Sequence, residues 1–161
     1  MAGRGTGKST RWLSADEQRA WRAFIEANRV LYDSIEAQLQ GCADMPHNYY
    51  EILVRLSEAP GRTLRMSDLA EAAKSSKSRI SHAVTRLEER GWVRRTEDST
   101  DRRGQLAHLT PKGFAALEEI APGHVECVRS SLFDALTPAQ VKQLRTISEA
   151  ILEHLTGQAC S

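Results

Sequence analysis

The stretch that decides the fold is residues 64–110, which read LRMSDLAEAAKSSKSRISHAVTRLEERGWVRRTEDSTDRRGQLAHLT. A short helical segment comes first, and a glycine-free basic helix follows, predicted from about Ser76 to Arg90. Two strand-like runs then come in succession, joined by a charged turn predicted over residues 98–104. This order predicts a helix-turn-helix followed by a β-wing.

The basic helix has two different faces. Ile80, Val84 and Leu87 stand at positions i, i+4 and i+7, which is the spacing of a buried stripe on an α-helix. Gly91 is placed to end the helix in the left-handed conformation. The opposite face is polar and carries Ser78, Arg79, Ser81, His82, Thr85 and Arg86.

Outside this stretch the sequence predicts long helices at both ends of the chain. Residues 14–17 form a capping box that begins the first helix, which we expect to end near Gly41. Its apolar stripe is longer than a helix on one small domain needs, so we expect part of it to pack on a partner chain. A second capping box, at residues 137–140, begins the last helix.

The segments between these helices carry ordinary start and stop signals. Pro46 begins a second helix, residues 63–66 have the composition of a short strand, and Ser67 is placed to cap a third helix. Thr110, which a proline follows, is placed to cap a fifth helix.

The charge of the chain is unevenly distributed, although the net charge is only +1. Residues 62–103 carry eleven basic and seven acidic side chains, whereas the remainder carries 11 basic and 14 acidic ones. A basic segment inside an acidic frame is typical of proteins that bind nucleic acid. The pattern is weak evidence alone, since solvated helix faces often carry such clusters.

The basic helix fits the requirements of a major-groove reader, which needs an apolar back and a polar front that reaches base edges. Arg79 is the best candidate for a base contact, because a guanidinium group bonds guanine through two hydrogen bonds. Arg86 lies further along and is expected at phosphate. The predicted DNA-binding residues are Ser75, Ser76, Lys77, Ser78, Arg79, Ser81, His82, Arg86, Asp101, Arg102 and Arg103.

The wing is expected to act on the minor groove, where A·T-rich DNA has an enhanced negative potential that attracts arginine. Asp101, Arg102 and Arg103 are predicted to sit in the turn beside Gly104. An aspartate cannot bind phosphate directly, so its expected task is to orient Arg103 through an ion-paired hydrogen bond.

Several motifs resemble the MarR family of bacterial transcription regulators. They are Leu-Ala-Glu-Ala at residues 69–72, Ser-Lys-Ser at 76–78, Arg-Leu-Glu-Glu-Arg-Gly at 86–91, Asp-Arg-Arg at 101–103 and Leu-Thr-Pro-Lys-Gly at 109–113. The resemblance runs from about Ser14 to Leu155. It implies a homodimer with winged helix-turn-helix lobes, a pseudo-palindromic operator in double-stranded DNA, and release by a small phenolic or carboxylated ligand. It also implies that Arg103 is the minor-groove arginine, that Asp101 is its partner, and that repression is the regulatory outcome.

The predicted fold class is therefore mainly α with a small β-wing: a winged helix-turn-helix with six helices, in which the N- and C-terminal helices build the dimerisation region. We divide the chain into a flexible basic arm (1–12), an N-terminal dimerisation helix (13–45), a DNA-binding region (46–110) and C-terminal dimerisation helices (111–161). Apolar stripes near both termini support the dimerisation regions, because a second chain would bury them.

Two other functions have some support in the sequence. Residues 2–9 match a loosened P-loop pattern, but Ala2 replaces the first glycine and no strand can precede it. Redox sensing through a thiol is the second rival, with Cys42 in a loop as the candidate, Cys127 in a helix and Cys160 in the tail. Reactivity requires exposure and a lowered pKa, which sequence does not reveal.

Catalysis, metal binding and membrane insertion find no support in the sequence. The five histidines and three cysteines lack metal-ligand spacing, and the acidic residues are spread along helix faces. No apolar run approaches the roughly 18–20 residues of a membrane span. We therefore expect a cytoplasmic protein that is not an enzyme and that needs no cofactor or metal.

Overall fold

The computed structural model describes residues 10–98 and 101–158, and the side chains of residues 101–103 and 158 lie outside that description. The described chain has six α-helices and three strands, so the predicted fold class is confirmed. The helices are α1 (Ala15–Ala43), α2 (His47–Glu58), α3 (Met66–Ala72), α4 (Lys77–Glu89), α5 (Pro111–Ser131) and α6 (Pro138–Gln158). The strands are β1 (Thr63–Arg65), β2 (Val93–Asp98) and β3 (Asp101–Leu109). Short 3₁₀ turns span Pro60–Arg62 and Phe133–Ala135.

The helix starts follow the capping signals of the sequence. Ser14 Oγ accepts a hydrogen bond from Glu17 N at 3.2 Å, and Glu17 Oε2 accepts one from Ser14 N at 2.7 Å. Thr137 and Gln140 form the same reciprocal pair before α6. Thr110 caps α5 by accepting from Gly113 N at 3.0 Å. Each cap satisfies backbone groups that the first turn of a helix leaves without an intrahelical partner.

One predicted cap was wrong. α1 ends at Ala43, near Gly41 as predicted, because Asp44 adopts the left-handed conformation (φ 46°) and stops it there. Ser67 does not cap α3, which already begins at Met66 with Arg65 before it. The Ser67 hydroxyl instead donates to the Asp68 carboxylate at 2.9 Å.

The three strands form an antiparallel sheet in the order β1–β3–β2. His108 on the central strand lies 2.8 Å from the Thr63 hydroxyl on β1 and 2.7 Å from the Thr96 hydroxyl on β2, and it links all three strands. The turn predicted over residues 98–104 was too long. Asp98 pairs with Asp101, so residues 101–104 belong to β3. Strand pairing outweighs the turn propensity of these residues because it satisfies their backbone hydrogen-bond donors and acceptors.

One hydrophobic core joins α2, α3, α4 and the sheet to the C-terminal half of α1 and the start of α5. Its fully buried side chains include Leu39, Met45, Ile52, Leu53, Leu56, Leu69, Val84 and Leu87. This core holds α4 between α2, α3 and the wing. Within the part of the chain that the structure describes, no helix has the length and apolar character needed to cross a membrane.

The helices at the two ends of the chain leave large apolar side chains in solvent. Those exposed on α1 are Trp21, Phe24, Ile25, Val30 and Tyr32, and those on α6 are Ile147, Ile151, Leu152 and Leu155. An apolar groove of about 580 Å³ runs between α1 and α6 and is lined by Phe24, Leu31, Leu144 and Ile151, among others. Clustered exposed apolar side chains of this kind are typical of interaction surfaces.

Candidate nucleic-acid interface

The fourth helix has the two faces that the sequence predicts. Ile80, Val84 and Leu87 are buried, together with Ala83. The polar side chains of the opposite face are exposed, except Thr85, which is half-buried. The exposed residues are Ser78, Arg79, Ser81, His82 and Arg86. The predicted orientation of the helix is therefore confirmed, with its arginine-bearing side outward.

The start of α4 combines a serine cap with an exposed lysine. Ser76 is the N-cap, and its Oγ accepts a hydrogen bond from Arg79 N at 3.3 Å. Ser75 N bonds Ala70 O at 3.0 Å, and Lys74 adopts φ 47° in the turn that brings α4 across α3. Lys77 lies exposed on the first turn, so its ammonium group adds positive charge to the positive end of the helix dipole.

Several arginines of the basic segment have partners inside the protein. Arg86 bonds Glu89 at 2.9 Å, and this hydrogen bond raises the pKa of Arg86 above its ordinary value. Arg65 Nε lies 2.9 Å from the Asp98 carboxylate, and Arg62 lies 3.4 Å above the Phe114 ring. These contacts leave the excess of four positive charges unchanged, because the acids involved are already counted in it, but they hold these guanidinium groups against the protein.

An ion pair ties α4 to the wing. Glu88 accepts from Arg95 N at 2.8 Å and from Arg95 Nε at 2.7 Å, so one carboxylate binds both the backbone and the side chain of β2. Arg95 Nη2 also donates to the Thr85 hydroxyl at 3.0 Å. Because both charged groups are mostly buried and joined by several hydrogen bonds, the pair fixes the angle between helix and wing.

A groove of about 350 Å³ separates the N-terminal half of α4 from the base of the wing. It is lined by Lys77 and Ser81 on one side and by Asp98, Gly104 and Gln105 on the other. A second groove, of about 450 Å³, lies between α4 and the start of α2, with Tyr49, Arg79 and His82 among its walls. The outer face of α4 is thus flanked by open space on both sides.

The predicted wing residues are only partly located. The backbone of residues 101–103 begins β3, but the side chains of Asp101, Arg102 and Arg103 lie outside the described part of the structure. The expected orientation of Arg103 by Asp101 therefore stays a prediction. Residues 2–9 and Cys160, which carry the P-loop pattern and one thiol, also lie outside the described residues.

The remaining candidate groups lie where α1, α2 and α5 meet. Cys42 is exposed and accepts a hydrogen bond from Gln38 Nε2 at 3.2 Å, whereas Cys127 is half-buried beside Ser34 and Ser131. His124 stacks on His47, with ring centroids 5.9 Å apart. Among the described residues, no group of three or more histidine, cysteine or acidic side chains is arranged to hold a metal ion.

Comparison with known proteins decides the family. The sequence model of the MarR family matches residues 43–104. The chain is 52% identical to Sco3205 of Streptomyces coelicolor, a MarR family regulator solved in complex with DNA, with a TM-score of 0.88 over 91% of this chain and 92% of that one. This protein belongs to the MarR family.

Two further proteins that regulate transcription are similar to this chain. AbsC, another MarR family transcriptional regulator of Streptomyces coelicolor, is 46% identical, with a TM-score of 0.87 over 92% of this chain and 99% of that chain. The transcriptional repressor MprA of Escherichia coli (strain K12) is 32% identical over 103 residues. That match covers 64% of this chain and 58% of MprA.

Two of the motifs that resemble the MarR family meet in space at the end of α4. The Thr110 hydroxyl donates to Gly91 O at 2.7 Å, and Lys112 Nζ donates to Arg90 O at 2.8 Å. A Cβ atom on Gly113 would lie 2.1 Å from Trp92 O, so only glycine lets α5 start this close to β2. Gly91 itself has φ 72°, which favours glycine. The two motifs therefore form one junction.

The sequence analysis did not identify the arginines that bind partners within the protein. Arg90 and Arg95 were counted as part of a basic segment, yet their guanidinium groups bind partners on α1 and α4. The signal for Arg95 was available in retrospect, because Glu88 stands near it in sequence. The partners of Arg90 lie 46 and 47 residues earlier, and no local pattern points to them.

Proposed function

We propose that this MarR family protein is a homodimeric, sequence-specific DNA-binding regulator that acts as a repressor on a pseudo-palindromic operator. The observation that carries the proposal is α4, whose apolar side is buried and whose polar side is exposed between two open grooves. Sco3205, solved with DNA, and MprA, a repressor, support it by analogy. Such a role is exercised on the chromosome and not by catalysis, so we place the protein in the cytoplasm.

Within this proposal each predicted residue has a stated task. Ser75, Ser76 and Lys77 meet phosphate at the start of α4, where backbone N–H groups and the helix dipole favour anions. The exposed face reads bases in the major groove. It comprises Ser78, Arg79, Ser81 and His82. Arg86 must exchange Glu89 for phosphate. The wing places Arg103 in the minor groove, with Arg102 beside it and Asp101 as its orienting partner.

Dimerisation is supported by the exposed apolar residues of α1 and α6. Burying them requires a second surface of the same character, and a second copy of the chain provides one. Two-fold symmetry then sets the two α4 helices about 34–36 Å apart, which is one turn of DNA.

A small-molecule effector is supported by a cavity of about 310 Å³ between α1, Trp92 and α5. This volume is near the lower end of ligand pockets, at roughly 300–1,000 Å³. The cavity wall includes Gln38, and Gln38 Oε1 is buried without a hydrogen-bond partner in the described structure. Because that oxygen is an acceptor and Glu119 is nearby, a phenolic ligand suits the cavity better than a carboxylated one.

The test begins with selection of bound fragments from a random DNA pool, followed by binding assays on the selected operator. We expect Arg103→Ala to weaken binding while the dimer persists, and Arg79→Ala to remove roughly 1–3 kcal/mol of base discrimination. Arg145→Ala is the matched control, because this arginine is exposed on α6.

Salt dependence provides an independent check. Because phosphate contacts release counterions, the logarithm of the affinity should fall steeply and linearly with the logarithm of salt concentration. A flat profile, or wild-type affinity in both arginine variants, would contradict the proposed interface. Peroxide titration distinguishes the rival in which Cys42 senses oxidants, since only that mechanism predicts release of DNA on oxidation.

A further inference from the structure

Arg90, at the end of α4, binds the end of α1. Its Nη1 donates to Ala43 O at 2.9 Å, and its Nη2 donates to Asp44 O at 2.6 Å. The two carbonyls follow each other along the chain, so the forked guanidinium group spans both. The Asp44 carboxylate lies 3.7 Å away but is almost fully exposed, so the carbonyl bonds are the stronger contact.

The end of α1 needs such a partner. The last carbonyls of a helix have no intrahelical donors, and the negative end of the helix dipole favours a cation. α1 has no basic residue in its own last turn. Asp44 turns the chain sharply with φ 46°, and the next residue, Met45, is fully buried in the core. Arg90 therefore supplies the missing cation to a helix end that is itself anchored.

Arg90 is also held from the other side. Its own carbonyl accepts from Lys112 Nζ at 2.8 Å at the start of α5. Its guanidinium carbon lies 5.1 Å from the Trp92 ring, at cation–π distance. The end of α4 is thus joined through one side chain to α1 and through one carbonyl to α5.

We propose that Arg90 is a positioning residue that couples α4 to α1 and thereby sets the separation of the two α4 helices in the dimer. The inference rests on the proposed function, in which α1 contributes to the dimer interface and α4 reads DNA. Arg90 itself contacts no DNA in this arrangement. Without its two bonds, the DNA-binding lobe pivots on its remaining contacts with α1, and the separation of the reader helices becomes less defined.

The test compares the wild-type protein with Arg90→Gln and Arg90→Lys on operators of altered spacing. Half-sites identical to those of the selected operator are moved by about one or two base pairs, which rotates one of them around the duplex by roughly 35° per pair. We expect the wild-type protein to lose affinity steeply on such operators. Arg145→Gln, remote on α6, is the control and should match the wild type.

For Arg90→Gln we expect about tenfold weaker binding at the natural spacing, the effect of losing charge-assisted hydrogen bonds, and a much smaller further loss on the altered operators. Arg90→Lys should restore part of the spacing selectivity, because one ammonium group reaches one carbonyl. Gel filtration and thermal unfolding of each variant check that the dimer and fold persist. If Arg90→Gln does not fold, the comparison is made with Arg90→Lys instead. A folded variant that loses the same affinity at every spacing would overturn the proposal.

The outcomes separate the two proposals. If the wild-type protein fails to dimerise or to select an operator, the proposed function fails. If the wild-type protein binds with strict spacing and Arg90→Gln keeps the same strictness, only the role of Arg90 is overturned.

Discussion

Helices α4 and α6 both carry a regular apolar stripe, but the stripe of α4 is buried and that of α6 is exposed. In α4, Ile80, Val84 and Leu87 are at most 3% exposed. In α6, Ile151 and Leu155 are 42% and 62% exposed. Since the same periodicity occurs in both helices, periodicity alone does not reveal which surface will cover a stripe.

The two helices differ in whether their apolar stripe is covered within the chain. α4 finds its partners in α2, α3 and the wing, so its outer face can be polar and available. α6 packs little against the rest of its own chain and leaves an open apolar groove between itself, α1 and the end of α5. The exposed stripe of α6 is therefore the feature that supports the proposed homodimer, because a second copy of the chain would bury it.

The largest expected effect comes from a charge in the groove. We expect Ile151→Asp to shift the protein to monomers and to raise the dissociation constant of the dimer by at least about a hundredfold, because an unpaired carboxylate would be buried. Sedimentation velocity measures the change. Gln143→Asp adds the same charge at an exposed position of α6 and should leave the dimer intact. A dimeric Ile151→Asp protein would exclude α6 from the interface.

Equal truncations in the two helices sharpen the comparison. Leu87→Ala should cost about 2–5 kcal/mol of unfolding free energy, because it opens a cavity in a packed core. Leu152→Ala removes the same atoms from a side chain that is 55% exposed within its own chain. The cost of Leu152→Ala should be larger at protein concentrations at which the dimer forms, whereas the cost of Leu87→Ala should be the same at all concentrations. Urea unfolding of both variants and the wild type at two concentrations measures these costs, and a cost of Leu152→Ala that does not change with concentration would remove the distinction.

A smaller effect is expected from pH at the junction of the two regions. Burial, and secondly the neighbouring His47, lower the pKa of His124 below its ordinary value of 6.5. The unfolded chain then binds the proton more readily, so stability is full above about pH 6.5 and declines as pH falls below it. The slope should stay below about 1.4 kcal/mol per pH unit, the limit for one proton.

Replacement of the imidazole tests this assignment. We expect His124→Gln to flatten the decline in unfolding free energy between about pH 6.5 and pH 5, relative to the wild-type protein. His82→Gln is the control, because this exposed side chain loses little hydration on folding. His108, whose pKa burial and then Arg94 also lower, should contribute the remaining slope. An unchanged slope in His124→Gln would assign the effect elsewhere.

Much of the fold was predictable because its signals are local. The caps at Ser14, Thr110 and Thr137 follow from short-range hydrogen bonds, and the two faces of α4 follow from helical spacing. The errors were also local. Ser67 does not cap α3, and strand pairing extended β3 through residues that look like a turn.

The sequence by itself determined where the helices lie, which side of α4 is apolar and which family the motifs resemble, because each of these depends on residues within a few positions of one another. Only the tertiary structure decided which basic side chains stay exposed to solvent and which bind partners within the protein. Arg95 goes to Glu88 and Arg90 goes to the end of α1, because packing brings orphan carbonyls and carboxylates within reach. Partners separated by more than 40 residues leave no periodic trace in a single sequence.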